Sequence, residues 1–406
     1  MADAHVDQAT LSATTPRPES LALAVEVAAA AGESVEAILA DIGRYVDHES
    51  PTGHRELLDS LARTMAVSCE DLGLEPELVP GTAGLHLHAS IEGQGAARVA
   101  LLCHHDTVFP PGTVASRGFE ASGDQAFGPG VADMKGGVAV GMHAAALLAR
   151  RSRAFGRIEL VSVPDEERRS GPFATLDRLR GFDAVLCLEC GRPGGAIVTE
   201  RKGAVWLAVE ASGRAAHAGV SPESGRNAIA ALCREAVRIS SLSGSRPGIT
   251  VELTEFSGGE SGNSVAGQAT LTVDVRAWRE EELAEAVTAI GGFKGEPGVS
   301  FRLIETAATP PLTRGPANAT LAATATGLAA GLGLPVSEVS TGGVSDASWT
   351  AAAGVPTLDG LGPVGAHDHS PDEYIEIGSI AHRCGMIAGL IAEIEAMRSE
   401  AMRTRP

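Results

Sequence analysis

At 406 residues, of which 44% are hydrophobic, the chain is long enough for two or three domains with buried cores. Its 32 basic and 51 acidic residues give a net charge of -19, which repels phosphate backbones and anionic lipids and so argues against nucleic acid or a membrane as a partner. Six scattered cysteines favour reduced thiols in the cytoplasm over a disulfide framework.

The first half of the chain alternates between helix and strand patterns. Residues 1–20 lack the basic start and apolar stretch of a signal peptide, and we expect them to form a flexible leader to a soluble protein. Apolar spacing predicts helices over 21–46 (broken near Gly32), 55–72, 135–150 and 174–180, and strands over 85–91, 97–103, 157–163 and 183–188. Strands that alternate with helices predict an α/β fold with a mainly parallel sheet and flanking helices.

The pattern changes after Gly203. Alternation predicts strands over 204–211, 249–255 and 270–276, and apolar spacing predicts helices over 227–240 and 280–290. This order is typical of an antiparallel α+β module. A stiff Thr309-Pro310-Pro311 connection follows, after which predicted helices over 321–331 and 379–397 return to the first style. We therefore expect residues 204–308 to be a domain inserted into a discontinuous domain of residues 21–203 and 309–406.

Acidic and histidine residues follow the predicted strands, at the edge where open α/β sheets place their sites. His104 and Asp106 alternate, so the carboxylate can orient the imidazole as it would a metal ligand. Asp133 lies where a glycine-rich loop enters a helix, and a helix N-cap is the plainer interpretation. Glu166 and Glu167 belong to three adjacent carboxylates, which repel one another unless a cation or proton lies among them; a solvated acidic turn is the alternative.

Two further residues complete this group. Glu189 ends a predicted strand, and His369 lies in the segment His367-Asp368-His369-Ser370-Pro371; either could be an incidental surface residue. Together, two histidines and several carboxylates suit a pair of zinc-like ions, with one carboxylate bridging and another left free as a base. The joint occurrence therefore points to a two-metal site.

Six motifs, in this order, resemble the M20 family of dizinc metallopeptidases, particularly its glutamate carboxypeptidase-like branch. They are HxDTV from His104, GPGVADMKGG around Asp133, DEE up to Glu167, an isolated Glu189, GRAAHAG around His217, and HSPDEY from His369. The resemblance extends over roughly residues 35–397. It implies a zinc-exopeptidase-like catalytic domain, an inserted lid or dimerisation domain with an antiparallel sheet, and a homodimer formed through the insertion.

The resemblance also implies ligands for two divalent cations, zinc in the first place, with cobalt and manganese as alternatives. One cation would be held by His104, Asp133 and Glu189, and the other by Glu167, His369 and the same bridging Asp133. The peptide bond that follows Asp133 would be cis.

Three catalytic roles follow from the same resemblance. Asp106 would orient the first histidine ligand, Glu166 would be the general base, and His217 would stabilise the oxyanion, with an exposed loop histidine as the alternative. The chain departs from many relatives after the DEE motif, where Arg168 and Arg169 place two cations beside the base and could alter its pKa.

Four residues match substrate-contacting positions of the family: Asn263, Arg276, Gly342 and Gly343. A guanidinium binds a carboxylate through two hydrogen bonds, which suits a small substrate with a free carboxylate. A structural ion pair at the strand end explains Arg276 almost as well. The two glycines would present backbone N–H groups to an anion, or form a plain turn.

The expected function is hydrolysis of an amide bond, either release of a C-terminal, glutamate-like residue or deacylation of an N-acyl amino acid. A dipeptidase and an acetylornithine- or succinyl-diaminopimelate-type deacylase are the alternatives among enzymes. Outside enzymes, the alternative is a metal-free binding protein on the same fold, against which the complete set of ligand residues argues.

Overall fold

The computed structural model describes residues 15–169, 173–334 and 336–404, and the chain divides into two compact units. The larger unit comprises Met1–Thr199, Arg314–Ser340 and Ser345–Pro406, and the smaller unit comprises Glu200–Thr313 and Thr341–Val344. Of the expected leader, residues 1–14 lie outside the described residues, and the first helix already begins at Pro18.

The helices of the described residues are α1 (Pro18–Glu33), α2 (Val35–Val46), α3 (Arg55–Leu72), α4 (Thr113–Ser116), α5 (Gly136–Arg151), α6 (Leu176–Leu179), α7 (Ala228–Ser240), α8 (Glu280–Gly291), α9 (Pro316–Gly331), α10 (Ala347–Ala352) and α11 (Ile377–Arg403). The strands are β1 (Glu75–Pro80), β2 (Leu85–Glu92), β3 (Arg98–His104), β4 (Glu120–Ser122), β5 (Gln125–Phe127), β6 (Arg157–Val163), β7 (Ala184–Cys187), β8 (Ile197–Arg201), β9 (Gly203–Ser212), β10 (Ala216–His217), β11 (Thr250–Gly258), β12 (Ser264–Val265), β13 (Gln268–Ala277), β14 (Ser300–Thr309), β15 (Glu338–Thr341), β16 (Thr357–Leu358), β17 (Gly365–Ala366) and β18 (Tyr374–Glu376).

The larger unit is built on a six-stranded sheet in the order β1-β2-β6-β3-β7-β16. Strands β6, β3, β7 and β16 are mutually parallel, as the alternation of strands and helices predicts. Strands β1 and β2 are antiparallel to their neighbours. Residues 93–97, between β2 and β3, are too few for a crossover, which takes about a dozen residues, so β2 runs opposite to β3.

Helix α5 forms the centre of this unit, since every residue from Gly136 to Ala149 is buried. A helix that is almost entirely apolar and buried on every side is typical of a core position. Its first turn lies directly against the end of β7: a Cβ on Gly137 would lie 2.1 Å from the Leu188 carbonyl oxygen, so only glycine fits. This approach brings the loop before α5 next to the residues that follow β7.

A buried carboxylate is held on β6. Glu159 accepts hydrogen bonds from Arg157 Nε (2.8 Å), His88 Nδ1 (3.2 Å) and Arg178 Nε. Burial alone would raise its pKa, but these three partners lower the pKa to about 2. Glu159 is therefore a paired charge that stabilises the fold only while ionised.

The smaller unit is an antiparallel sheet in the order β11-β13-β9-β14. Strand β13 alternates strictly between buried and more exposed residues, and its buried face packs with α7 and α8 into a separate core. The prediction of an antiparallel α+β module is confirmed. The sequence did not predict β14, a lightly buried edge strand without apolar alternation.

Among the described residues, helix α11 is long and apolar enough to span a membrane by length and composition. However, 72% of its apolar window is buried inside the fold. It packs against α1, α5 and α9, which is the environment of a core helix.

Candidate active site

The ends of parallel strands gather the predicted metal ligands at one edge of the large sheet. His104 is the last residue of β3, Glu167 follows β6, and Glu189 follows β7. Since these strands are adjacent and parallel, their carboxyl ends meet. Asp133 lies in the turn that enters α5, and His369 lies between β17 and β18. The structure thus brings all five residues together.

Asp133 lies at the middle of this group. Its Oδ1 faces His104 Nε2 at 2.8 Å, and its Oδ2 faces His369 Nε2 at 3.1 Å. His369 Nε2 also lies 3.1 Å from Glu167 Oε2, and His104 Nε2 lies 3.7 Å from Glu189 Oε1. The two oxygens of the Asp133 carboxylate therefore lie next to two different imidazoles. This is the arrangement expected of a carboxylate that bridges two ions, each of which also binds one of the histidines.

The donor set fits divalent cations. Imidazole nitrogens and carboxylate oxygens are the ordinary ligands of zinc, and ligand atoms of His104, Asp133 and Glu167 all lie within 4.8 Å of one another. Glu167 Oε1 is buried and accepts no hydrogen bond from the part of the chain that the structure describes. The carboxylates of Asp133 and Glu167 raise the pKa of His369 to about 11, which indicates how strongly positive charge is favoured here.

Asp106 orients His104 through the ring nitrogen that does not face Asp133. It is fully buried, and its carboxylate lies 3.3 Å from His104 Nδ1, which also donates to the Asp106 carbonyl oxygen at 3.1 Å. A proton held on Nδ1 leaves the Nε2 lone pair free for a cation. The same carboxylate accepts hydrogen bonds from the backbone N–H groups of Glu166 (3.0 Å) and Glu167 (3.1 Å), so it also holds the turn after β6. The sequence did not predict this second role of Asp106.

Glu373 is a residue whose role at the site the sequence did not reveal. It is fully buried, and its carboxylate accepts backbone N–H groups from Gly130 (2.9 Å), Ala132 (2.9 Å) and Asp133 (3.0 Å). It thus holds the loop of the bridging carboxylate, and its only sequence signal was its place in HSPDEY. The peptide bond between Asp133 and Met134 is cis, as predicted.

Glu166, the predicted base, is partly buried beside the cluster. Within residues 15–169, 173–334 and 336–404, its carboxylate makes no hydrogen bond or salt bridge. Burial raises the pKa of this carboxyl well above its usual range, and the Asp346 and Glu189 carboxylates raise it further against the opposing effect of His104. A raised pKa makes this carboxylate a stronger base, so it is suited to accept a proton from a bound molecule.

The arginines after the DEE motif are not two free cations beside the base. Arg169 donates to both Asp346 oxygens at 2.5 and 2.6 Å and to Asp165 Oδ1 at 3.2 Å. Its guanidinium also lies over the Phe173 ring at 4.7 Å. The effect that Arg169 was expected to have on the pKa of Glu166 is thus offset by two carboxylates. Arg168 is exposed, so water screens its charge.

His217 and Asn263 meet in the smaller unit. Strand β10, which ends at His217, pairs with β12, and the Asn263 carbonyl accepts the Ala218 N–H at 2.9 Å. His217 is exposed, and its Nδ1 accepts the Gly219 N–H at 3.2 Å. A neutral ring bound in this way carries its proton on Nε2, where it is free to donate.

Arg276, Gly342 and Gly343 form a second group in the smaller unit. Arg276 donates to both oxygens of Asp274 at 3.0 Å and to the Gly342 carbonyl at 2.8 Å. The ion pair that the sequence allowed for Arg276 is therefore present. The Gly343 N–H donates to Thr341 Oγ1 (3.4 Å), so this N–H points to a side chain of its own loop and is not open to an anion.

Comparison with known proteins gives the family. The sequence model of peptidase family M20/M25/M40 matches residues 100–393. Carboxypeptidase G2 of Pseudomonas sp. (strain RS-16) is 30% identical over 382 residues, which cover 90% of this chain and 91% of that protein. The chain belongs to peptidase family M20/M25/M40. It is therefore a metal-dependent hydrolase of peptide or amide bonds, and the M20 assignment from six motifs is confirmed.

Other members and solved structures are also similar. Succinyl-diaminopimelate desuccinylase of Cereibacter sphaeroides is 30% identical over 322 residues, which cover 71% of this chain and 81% of that protein. An M20 metallo-carboxypeptidase of Sulfolobus solfataricus superposes with a TM-score of 0.71 at 15% identity, covering 88% of this chain and 99% of the other. Human carnosine dipeptidase 1 superposes with a TM-score of 0.69 at 14% identity, covering 94% and 100%. These likenesses confirm the predicted fold.

Proposed function

We propose that this M20 hydrolase holds two divalent cations, zinc in the first place, and releases a C-terminal glutamate-like residue or deacylates an N-acyl amino acid. The observation that carries the proposal is the Asp133 carboxylate, whose oxygens face His104 and His369 at 2.8 and 3.1 Å. His104, Asp133 and Glu189 would hold one cation, and Glu167 and His369 would share Asp133 for the other. Cobalt or manganese would suit the same donors.

Glu166 is the proposed general base. When bound, the two cations would polarise the amide carbonyl and lower the pKa of a water molecule. Glu166 would accept a proton from this water and donate it to the leaving nitrogen, because its carboxylate is not engaged by the described residues. His217 would donate its Nε2–H to the carbonyl oxygen as negative charge develops there.

Arg276 is the proposed contact for the free carboxylate of the substrate. Its guanidinium is partly exposed and held in one orientation by Asp274, so it presents fixed N–H donors. Asn263 and the Gly342–Gly343 turn would complete the contacts, through the Asn263 side chain and the Gly342 N–H. The 30% identity with carboxypeptidase G2 supports a leaving residue with a free carboxylate, and the motif resemblance supports a glutamate-like side chain on it.

A second candidate is a succinyl-diaminopimelate-type deacylase, which the 30% identity with the Cereibacter desuccinylase favours. The two candidates differ in which side of the amide bond is bulky. They also differ in the amine that is released, because diaminopimelate carries a second charged amino acid group at its far end. Both use the same metal ligands and base.

A substrate panel tests the proposal. The zinc-loaded protein would be given N-acyl and N-aroyl glutamate, aspartate and leucine, their α-amides, succinyl-diaminopimelate and dipeptides, and the released amino acid would be measured. We expect at least about tenfold higher kcat/KM for the α-carboxylates than for the α-amides, because a lost charged contact costs about 1.4 kcal/mol or more. Glu166→Gln, purified identically, controls for contaminating peptidases.

Two results would contradict the proposal. Faster cleavage of succinyl-diaminopimelate or of dipeptides than of every N-acyl amino acid would favour the alternatives. Less than about one equivalent of transition metal after reconstitution would favour a metal-free binding protein.

We further propose a homodimer formed through the smaller unit, and a cytoplasmic location. The edge strand β11 supports the first, since most of its residues are exposed and include Phe256 at 44% exposure. The six cysteines, of which five are buried, support the second, because scattered buried thiols are typical of a reducing compartment.

A further inference from the structure

Two ligands of the proposed site are held in very different ways. The His104 side chain is 1% exposed, so packing and Asp106 determine its direction. The His369 side chain is 50% exposed. Packing alone therefore does not orient His369, and its direction depends on the backbone that carries it.

That backbone is unusual. His367 and His369 have φ values of 64° and 63°, and within the described residues they are the non-glycine residues with positive φ. Side chains other than glycine rarely adopt this region, and such a conformation persists only where the surroundings hold it. Arg117 holds the residues after His369 by donating to the Ser370 and Pro371 carbonyls. Both of these hydrogen bonds are to residues after His369, so Asp368, the residue before it, must be held by another contact.

Asp368, between the two histidines, makes such a contact. Its Oδ2 accepts a hydrogen bond from Arg192 Nη1 at 2.5 Å, and its Oδ1 accepts one from Cys190 Sγ at 3.5 Å. Cys190 directly follows Glu189 in the chain, and Arg192 is two residues further on. The ion pair therefore joins the loop of one proposed ligand to the loop of another, across 176 residues of sequence.

We propose that the Arg192–Asp368 ion pair positions His369 for the second cation. The proposal rests on the two-cation function above. Side-chain exposures of 27% and 21% mean that the pair adds little to stability, because partly exposed ion pairs are screened by water. It fixes the φ of its neighbours and hence the direction of the His369 ring, whose Nε2 must face both Asp133 and Glu167.

Metal binding by variants tests this role. Zinc stoichiometry and the two dissociation constants would be measured by equilibrium dialysis for the wild type, Asp368→Ala and Arg192→Ala, with the visible spectrum of bound cobalt as a second readout. We expect one equivalent to bind as in the wild type and the second to weaken by about 10–100-fold in both variants, the usual effect of losing a ligand's support. Arg192→Lys, which keeps the charge, should restore part of the affinity.

Glu338→Ala is a matched control. It breaks the Arg314–Glu338 pair, which has contacts of 2.8 and 3.1 Å and whose exposures of 26% and 22% are nearly those of Arg192–Asp368. This variant should bind both equivalents normally. Thermal unfolding of every protein in metal-free form would be recorded alongside.

Several outcomes would overturn the proposal. Asp368→Ala that binds both equivalents normally would show that His369 needs no such support. A metal-free Asp368→Ala that melts well below both wild type and Glu338→Ala would indicate a purely structural pair. A wild type that binds only one equivalent would overturn the two-cation function as well, which distinguishes the two failures.

Discussion

Replacing Glu166 by glutamine should leave the metal centre intact and abolish most turnover. The amide is nearly isosteric with the carboxylate but cannot accept the proton. The substitution also spares the Glu166 backbone N–H, which donates to Asp106 at 3.0 Å, so the turn that carries Glu167 keeps its position. General-base catalysis contributes about 10²–10⁴-fold, which corresponds to about 3–5 kcal/mol in the activation barrier, and more where the same group is also the acid.

The assay would measure kcat and KM from the release of the amino acid, with zinc content determined on the same samples. We expect kcat to fall by at least about 100-fold and KM to change little, because the carboxylate acts on the transition state rather than on substrate binding. Asp165→Asn is the matched control: it changes the adjacent carboxylate, which binds Arg169 at 3.2 Å, and should keep turnover within several-fold. Glu166→Gln with normal zinc and more than about a tenth of wild-type kcat would show that another group is the base.

Three further predictions concern other residues. Arg276→Ala should raise KM for α-carboxylate substrates by about tenfold or more and leave the α-amides unaffected; an equal effect on both would leave only the structural ion pair. Glu159→Gln should cost roughly 3 kcal/mol in urea unfolding at pH 7, because the folded pKa of about 2 lies below the usual 4.5. This contribution is present above about pH 4.5 and lost as pH falls towards 2, so a difference from wild type that persists unchanged at pH 2 would contradict it. If His217 serves the partner subunit, mixing His217→Ala with Glu166→Ala should restore about a quarter of wild-type activity, since half the dimers are mixed and one of their two sites is whole. No recovery after verified subunit exchange would mean that each subunit completes its own site.

The candidate site could be located from the sequence because its parts are local. His104 ends an apolar strand, and Glu167 and Glu189 each follow one; a strand pattern predicts both where the strand ends and which edge of a parallel sheet that end occupies. Asp133 and His369 lie in predicted loops, so the sequence placed them only near these strand ends, and the family resemblance supplied the ligand roles of all five residues. The structure brings all five side chains into one group.

The supports of the site could not be found in this way. Glu373 accepts N–H groups of residues some 240 positions away, and Arg169 reaches Asp346 across 177 positions. Each donor or acceptor looks like an ordinary surface charge in the sequence. Whether such a charge is solvated or paired depends on which segments fold against each other, which no local pattern contains.

The sequence by itself determined the family, the alternation of helices and strands, the antiparallel module and the residue types of the site. Periodicity carries that information because it reports which face of an element is buried. Only the tertiary structure decided that β2 runs antiparallel to every other strand of the large sheet, that β14 completes the small sheet, and that Arg169 is neutralised by Asp346 and Asp165. These features depend on contacts between segments that are distant in the chain. Such contacts stabilise the fold only after both segments have come together, so neither segment alone contains the information.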